Sequence, residues 1–328
     1  IRQEDFRTGQ GHLKFKNVLP AYWQRITHDI QLERPLKIAA DCGNGIAGIS
    51  AAPLLKQLGC EVTGLFCEPD GNFPNHHPDP ASPKNLQDLK AVVLEGGYDI
   101  GLAFDGDGDR VGVLDAKGNI IWPDRQMMLL SQDILSRQPG ATIIYDVKSS
   151  HHLGRKIAEW GGKPMMWASG YTLIRQKLVN TNAALGGELS GHIFFNDRWL
   201  GFDDGLYTAV RLLELIARSP KPSDQVFAAF PEVQSTPELA VKFNSEWELR
   251  QFMQQFLNSE PDFNGADICR IDGFRVDYPD RWGLVRVSHT SPVLSLRFEG
   301  DNNNALEQIQ NQFRNALLAV KPDLNLPF

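Results

Sequence analysis

The sequence predicts an α/β protein that ends in a smaller α+β segment. Two observations predict this. A strand–Asp–turn–helix–Gly–strand pattern starts at residue 36 and again at residue 141. Beyond residue 231, strand-like and helical stretches alternate in a different order. The chain has 328 residues, 42% hydrophobic and 22% charged, which suits two or three globular domains and sets aside disorder, collagen and coiled coil. No apolar run reaches the ~20 residues needed to cross a bilayer.

Residues 1–35 are polar and mixed. They contain one predicted helix, over 19–30, and read as a linker or lead-in. Ile1-Arg2-Gln3-Glu4-Asp5 opens onto polar sequence with no apolar stretch of the signal-peptide kind. Residues 36–41 form an apolar strand closed by Asp41. The turn Cys42-Gly43-Asn44-Gly45-Ile46-Ala47-Gly48 and a helix ending at Leu58-Gly59 follow, then a second strand over 61–66. The grammar recurs with a strand over 141–146 closed by Asp146, a polar turn and helix over 147–160, a Gly161-Gly162 stop, and a strand from Pro164. Two such units predict related α/β domains in tandem. In the tail, strands over 239–243, 268–271, 283–287 and 293–298 alternate with helices over 246–257 and 305–318. The predicted boundaries therefore separate 1–35, 36–119, 120–231 and 232–328.

Thirty-three basic against forty acidic residues leave a net charge of −7, the wrong sign for a broad nucleic-acid footprint. Cys42, Cys60, Cys67 and Cys269 lack CxxC spacing, which argues against a zinc knuckle and for free thiols in a reducing cytoplasm.

The stretch Asp105-Gly106-Asp107-Gly108-Asp109-Arg110 carries the most chemistry. An apolar strand over 100–104 delivers three carboxylates, each separated by one glycine. Such anions repel unless a cation neutralises them, and the glycines let their oxygens converge. An all-oxygen ligand set suits Mg²⁺. Arg110 adds a fixed cation with bidentate reach. An EF-hand would need Gly at loop position six and Glu at twelve, where this chain has Arg110 and Ala116. A dehalogenase-type phosphatase would want Thr or Val where Asp109 stands. Downstream, Arg270, Arg275, Arg281, Arg286 and Arg297 fall in a lysine-free stretch. Within it Arg286, Ser288, Thr290 and Ser291 form a polar turn between two apolar strands, suited to a phosphate dianion. Arg270, Arg275 and Arg297 are expected to pair with surface acids.

The acidic loop resembles the metal loop of the α-D-phosphohexomutases. Gly187-Glu188-Leu189-Ser190-Gly191-His192 resembles that family's sugar-binding loop, and Arg286-Val287-Ser288-His289-Thr290-Ser291-Pro292 its phosphate-binding loop. The three stand in the family's order and at its spacing, and the resemblance covers almost the whole chain. Asp70-Gly71-Asn72-Phe73-Pro74-Asn75-His76-His77-Pro78, Phe202-Asp203-Asp204-Gly205 and Val276-Asp277-Tyr278 are most similar to its bacterial phosphomannomutase/phosphoglucomutase branch.

The resemblance implies tandem three-layer α/β domains followed by an α+β domain of the TATA-box-binding-protein type. It implies a reversible phosphoryl shift between O1 and O6 of a hexose phosphate, through a hexose 1,6-bisphosphate that turns around in the site. Asp105, Asp107 and Asp109 would hold Mg²⁺ beside a phosphoserine. Arg110, Lys148 and His192 take catalytic roles in this reading, Lys148 because it matches a family position that contacts substrate or phosphate. Glu188 and Ser190 can accept from two adjacent sugar hydroxyls, and His192 can donate or titrate near neutrality. Arg286, Ser288, His289, Thr290 and Ser291 would grip the far phosphate.

The family's phosphoserine lies in an N-terminal domain, in a motif resembling Ser-His-Asn-Pro, and nothing before residue 35 fits that domain. Ser288-His289-Thr290-Ser291-Pro292 mimics the motif, but its flanking strands suit the phosphate loop. The expectation is a chain holding the second, third and fourth domains, without turnover by itself. Two positions depart from the family. Tyr171 follows Ala168-Ser169-Gly170 where a His-bearing turn is expected, and His289 replaces an amide. Tyrosine can still bond a sugar but does not titrate near pH 7. Two rival functions remain open: a non-catalytic phosphosugar-binding protein and a metal-dependent sugar phosphatase.

Overall fold

The computed structural model describes residues 9–288 and 291–328. Its first sheet has the order β2-β1-β3-β4-β5, made of β1 (Lys37–Asp41), β2 (Glu61–Leu65), β3 (Ile100–Phe104), β4 (Val111–Asp115) and β5 (Ile120–Ile121). β1, β2 and β3 are parallel; β4 returns antiparallel against β3. The helices α1 (Leu19–Asp29), α2 (Ala51–Gln57) and α3 (Gln87–Gly96) belong to this unit, and α4 (Pro123–Arg137) leads out of it.

The second sheet has the order β7-β6-β8-β9, with β6 (Thr142–Asp146), β7 (Lys163–Trp167), β8 (Leu185–Gly187) and β9 (Ile193–Phe195). Again three strands are parallel and the fourth returns antiparallel. The connections run through α5 (His151–Glu159) and α6 (Tyr171–Thr181), and α7 (Gly205–Arg218) and α8 (Ser223–Phe227) close the unit. The sequence reading of two tandem α/β units is therefore met by two sheets of one topology. Both have a parallel centre, and strands buried on both faces carry the near-continuous apolar runs seen in β1, β3 and β6.

Helix α1 departs from the lead-in expectation. Ile26 and Ile30 are fully buried in the main core, Tyr22 Oη donates to Asp204 at 2.9 Å, and Trp23 Nε1 donates to Ser50 Oγ at 2.6 Å. Residues 22, 23, 26 and 30 share one helical face, so a polar-looking segment still buries an apolar stripe. That core is continuous between the two units, from Ile38 and Leu102 through Met127 and Leu130 to Phe195 and Leu213.

The last sheet is antiparallel, in the order β10-β15-β14-β13-β12 with β11 also on β15. Its strands are β10 (Gln234–Ser235), β11 (Leu239–Lys242), β12 (Asp267–Cys269), β13 (Phe274–Asp277), β14 (Arg281–Val287) and β15 (Val293–Gly300), with helices α9 (Glu246–Asn258) and α10 (Asn303–Val320). Alternation assigns the two faces. Phe274, Val276, Val285, Leu294, Leu296 and Phe298 pack with Phe256, Ile309 and Phe313 in a core under the helices.

The opposite face carries Arg275, Trp282, Leu284, Arg286, Ser295, Arg297 and Glu299, and it is also buried. It lies against the second unit. Trp282 and Leu284 pack on Val147, and Arg275 Nη1 donates to the carbonyls of Val147 and Ser149 at 2.6 and 2.8 Å. This overturns the expectation of surface pairing for Arg275 and Arg297, which are 0% and 6% exposed. Arg275 is paired with Asp277 at 2.7 Å and stacked 3.9 Å over Trp282, because a buried guanidinium must fill its donors. All four cysteines are free; Cys42 and Cys67 hold their Sγ atoms 3.7 Å apart.

Candidate active site

Both parallel sheets present their loops at the carboxyl ends of their strands, where open α/β sheets hold ligands. The β3–β4 loop carries Asp105, Asp107, Asp109 and Arg110. Asp105 is 1% exposed; its Oδ1 accepts the Gly108 and Arg110 N–H groups at 3.1 Å each, and its Oδ2 accepts Arg110 Nε at 2.7 Å. Gly108 takes φ +79°, a left-handed conformation that glycine adopts freely, and this bends the loop back on itself. One carboxylate oxygen from each aspartate lies within 4.8 Å of the others. Burial, then the charges of Asp105, Asp107 and Asp203, push the Asp109 carboxyl up to about 7. Among the described residues its buried Oδ1 has no hydrogen-bond partner. Arg110 Nε, already bonded to Asp105, stands 3.7 Å away, so this buried acceptor is left underfilled.

The start of α7 braces this loop. Asp204 caps the helix by accepting Tyr207 N–H at 2.9 Å, and Gly205 N–H donates to Gly108 O at 3.1 Å. A Cβ on Gly205 would stand 2.7 Å from Arg110 O, so only glycine allows this approach. Asp203 then joins Asp109 and His192 in a second group of convergent ligand atoms. A cleft of about 270 Å³ opens here, between Asp107, Asp109 and Asp203 on one side and Leu19, Ile46 and Ile49 on the other.

The β8–β9 loop occupies the corresponding place in the second unit. Glu188 is 2% exposed; its Oε1 accepts Gly170 N–H at 2.6 Å and Ser169 Oγ at 3.2 Å, while its buried Oε2 has no hydrogen-bond partner among the described residues. Burial, then the charge of Asp146, push the Glu188 carboxyl up to about 7. His192 Nδ1 lies 2.9 Å from Ser190 Oγ and 3.5 Å from Glu188 Oε2, and its Nε2 lies 3.7 Å from Asp109 Oδ2. Burial, helped by Arg110, lowers the His192 pKa and favours the neutral ring. The exposed Tyr171 stacks on it at 5.8 Å between centroids. Arg110 and His192 form an antiparallel β-bridge, so the two loops are joined through their backbones.

From Glu188 the contacts continue into the third sheet. Asp272 Oδ2 accepts Ser169 N–H and Arg286 Nε, both at 3.0 Å. Ser288 Oγ and Ser291 Oγ lie 3.3 Å apart, and Ser288 N–H donates to Val293 O at 2.9 Å. His289 and Thr290 lie outside the described residues. Lys148 follows the end of β6 and is nearly buried, with Nζ donating to Glu238 Oε2 at 3.3 Å. Glu238 also accepts from Ser295 Oγ. Burial raises the Glu238 pKa, but Lys148, Ser295 and Arg286 outweigh it and hold the group ionised.

The structure thus brings together Asp105, Asp107, Asp109, Arg110, Glu188, Ser190, His192 and Tyr171. It ties Arg286 to them through Ser169 and Asp272, and sets Lys148 beside Glu238. Asp146, Ser169, Glu238 and Asp272 escape sequence reasoning because each works by reaching a loop far away in the chain. The one signal available was the strand-terminal position of Asp146, which accepts Ser149 Oγ, Ser169 Oγ and Leu189 N–H.

Comparison with known proteins places the three sheets in one family. The family described as phosphoglucomutase/phosphomannomutase matches as its alpha/beta/alpha domain II over residues 20–118, alpha/beta/alpha domain III over 122–233 and C-terminal domain over 218–316. The chain is 49% identical over its full length to a Pseudomonas putida phosphomannomutase/phosphoglucomutase, covering 70% of that protein. It is 50% identical over 97% of its length to a Neisseria meningitidis phosphoglucomutase, covering 69% of it. A crystal structure of a phosphoglucomutase/phosphomannomutase family protein from Burkholderia thailandensis superposes with a TM-score of 0.94 at 50% identity, over 100% of this chain and 70% of that one. With three successive family domains matched over most of its length, the chain belongs to the phosphoglucomutase/phosphomannomutase family of phosphohexomutases.

Proposed function

We propose that the chain supplies the metal, sugar and far-phosphate subsites of a phosphomannomutase/phosphoglucomutase, which moves a phosphoryl group between O1 and O6 of a hexose phosphate by way of a hexose 1,6-bisphosphate. One observation carries this reading. Polar contacts run unbroken from Asp105 through Arg110, His192, Glu188, Ser169 and Asp272 to Arg286, joining an acidic loop to an arginine-bearing one across all three sheets.

Asp105, Asp107 and Asp109 would hold Mg²⁺; the convergent oxygens, and an Asp109 Oδ1 with no hydrogen-bond partner among the described residues, fit a hard divalent cation. Such a cation supplies charge stabilisation to a phosphoryl group in flight. Arg110 fixes Asp105 through Nε, reaches Asp79 Oδ1 through Nη1 at 3.5 Å, and would offer its remaining donors to the phosphoryl group. Glu188 and Ser190 accept from sugar hydroxyls, and neutral His192 beside Tyr171 orients the ring. Lys148, held by Glu238, donates to the substrate's bridging or phosphate oxygens. Arg286 with Ser288 and Ser291 grips the phosphate that is not reacting, and the bisphosphate's reversal exchanges the two ends. The phosphoryl donor implied by the family resemblance is a phosphoserine on a further domain. A reducing cytoplasm suits the four free thiols.

Calorimetry with glucose 1,6-bisphosphate and Mg²⁺ tests the reading. One equivalent is expected to bind, and Glu188→Gln and Arg286→Met are each expected to weaken it by at least about tenfold. Absence of binding, or binding indifferent to both changes, overturns it. Release of inorganic phosphate from glucose 1-phosphate would favour a phosphatase instead.

A further inference from the structure

A second ligand-bearing cluster lies at the joint between the second unit and the third sheet, outside the chain of contacts just described. Helix α5 begins with His151 and His152, and Asp301 follows the end of β15. His152 Nε2 is 2.9 Å from Asp301 Oδ1, His151 Nε2 is 3.2 Å from the same oxygen, and the two Nε2 atoms are 3.1 Å apart. Three potential ligand atoms therefore form a nearly equilateral triangle.

Hydrogen bonding accounts for this triangle poorly. A neutral imidazole has one N–H, and two Nε2 atoms facing each other and one oxygen cannot all be matched as donor and acceptor. The triangle is, however, close to one face of a tetrahedron around a metal. Bond lengths of ~2.0–2.1 Å set the ligand–ligand edge at about 3.3 Å. We infer that His151, His152 and Asp301 form a binding site for a divalent first-row transition metal of the zinc type.

Two independent features support the site. His151 is almost fully buried, its Nδ1 has no hydrogen-bond partner among the described residues, and Glu299 Oε1 stands 3.6 Å behind it. Closing that gap to a hydrogen bond, as a metal at Nε2 would favour, puts the proton on Nδ1 and leaves the Nε2 lone pair to the metal. Glu299 is itself fixed by Ser150 Oγ at 2.7 Å and Trp282 Nε1 at 2.9 Å. Finally, the nearby cation Arg155 is engaged elsewhere, donating to the carbonyls of Pro279 and Tyr278 at 2.6 and 3.2 Å. Asp301 is partly exposed, which leaves a route in and room for a water as fourth ligand. Two nitrogens and one oxygen select Zn²⁺, Co²⁺ or Ni²⁺ over Mg²⁺. The site would clamp the start of α5 to the end of β15, and so lock the joint that holds the Lys148 segment.

The test is a Zn²⁺ titration of the untagged chain by calorimetry, in millimolar Mg²⁺ so that the acidic loop is occupied. A parallel titration with Co²⁺ is read by visible absorption. One Zn²⁺ per chain and Co²⁺ bands of nitrogen ligation are expected. His152→Gln and Asp301→Asn, both at partly exposed positions, should each weaken uptake about 100-fold while keeping the metal-free melting temperature. No uptake by the parent chain overturns the inference. So does uptake undiminished in both variants, or uptake abolished by Asp109→Asn.

Discussion

The first two units share a sheet order and differ in what they place at the same point. In each, a first strand ends in a buried aspartate. Asp41 accepts Gly43 N–H at 2.8 Å and Asp146 accepts Ser149 Oγ at 2.8 Å. In each, the third parallel strand turns back through a short loop into an antiparallel fourth. In the first unit that loop holds three aspartates and an arginine. In the second it holds one glutamate, a serine and a histidine. The first loop is a set of anions that repel and call for an external cation. The second is nearly self-satisfied, with one free carboxylate oxygen facing His192 at 3.5 Å. One topology can thus serve two chemistries, because the sheet decides where a loop stands and the loop decides what it binds.

The largest expected effect separates the two loops by metal. Replacing Asp107 and Asp109 together by Asn should weaken Mg²⁺ uptake, read by calorimetry, by more than about 100-fold. Glu188→Gln should leave it within about threefold. Equal losses in both would end the division of labour.

A second test uses pH. The Glu188 carboxyl stands at about 7 in the fold against an ordinary 4.5. Between those values the unfolded chain has already released the proton that the folded chain still holds. Stability should therefore fall as pH rises from about 4.5 to 7, and level off above. At about 1.4 kcal/mol per pKa unit the loss is of order 3 kcal/mol. Asp109 slopes the same way. Urea unfolding across this range should show Glu188→Gln removing one part of the slope and Mg²⁺ removing the other. An unchanged slope in Glu188→Gln would place the cost elsewhere.

The smallest effect concerns packing between the loops. Gly205→Ala would set a Cβ 2.7 Å from Arg110 O and 2.8 Å from Gly108 O, with backbone that cannot yield. We expect a loss of about 1–3 kcal/mol in unfolding experiments and weaker Mg²⁺ binding. Gly191→Ala meets only Arg110 side-chain atoms at 3.5 Å and beyond, and suffers chiefly from its φ of +106°. It should cost stability and spare the metal.

Much of this was legible in the residues. Apolar runs ending in Asp41 and Asp146 marked the central strands, since buried parallel strands leave a local pattern. Asp105, Asp107 and Asp109 were legible as one group because six consecutive residues suffice to gather them. Strands β8 and β9 left little trace, being three residues long with no periodicity to read, and β13 alternates over only four residues, too few to stand out. Helix α1 looked like a tether because its apolar stripe is narrow.

By itself the sequence determined the two α/β repeats, the α+β tail and the composition of each loop, because strand and turn patterns act over a few residues. Tertiary structure alone decided which surfaces are covered. Alternation shows that Arg275, Trp282, Arg286, Arg297 and Glu299 share a face, but a polar face reads as a wet one. It is buried here because the second unit lies on it, and because Val147 O, Ser149 O, Ser150 and Asp272 fill its hydrogen bonds. The pairing of Lys148 with Glu238 and the triangle of His151, His152 and Asp301 arise at the same joint. Both depend on side chains ninety or more residues apart in the chain, a distance over which no local pattern carries information.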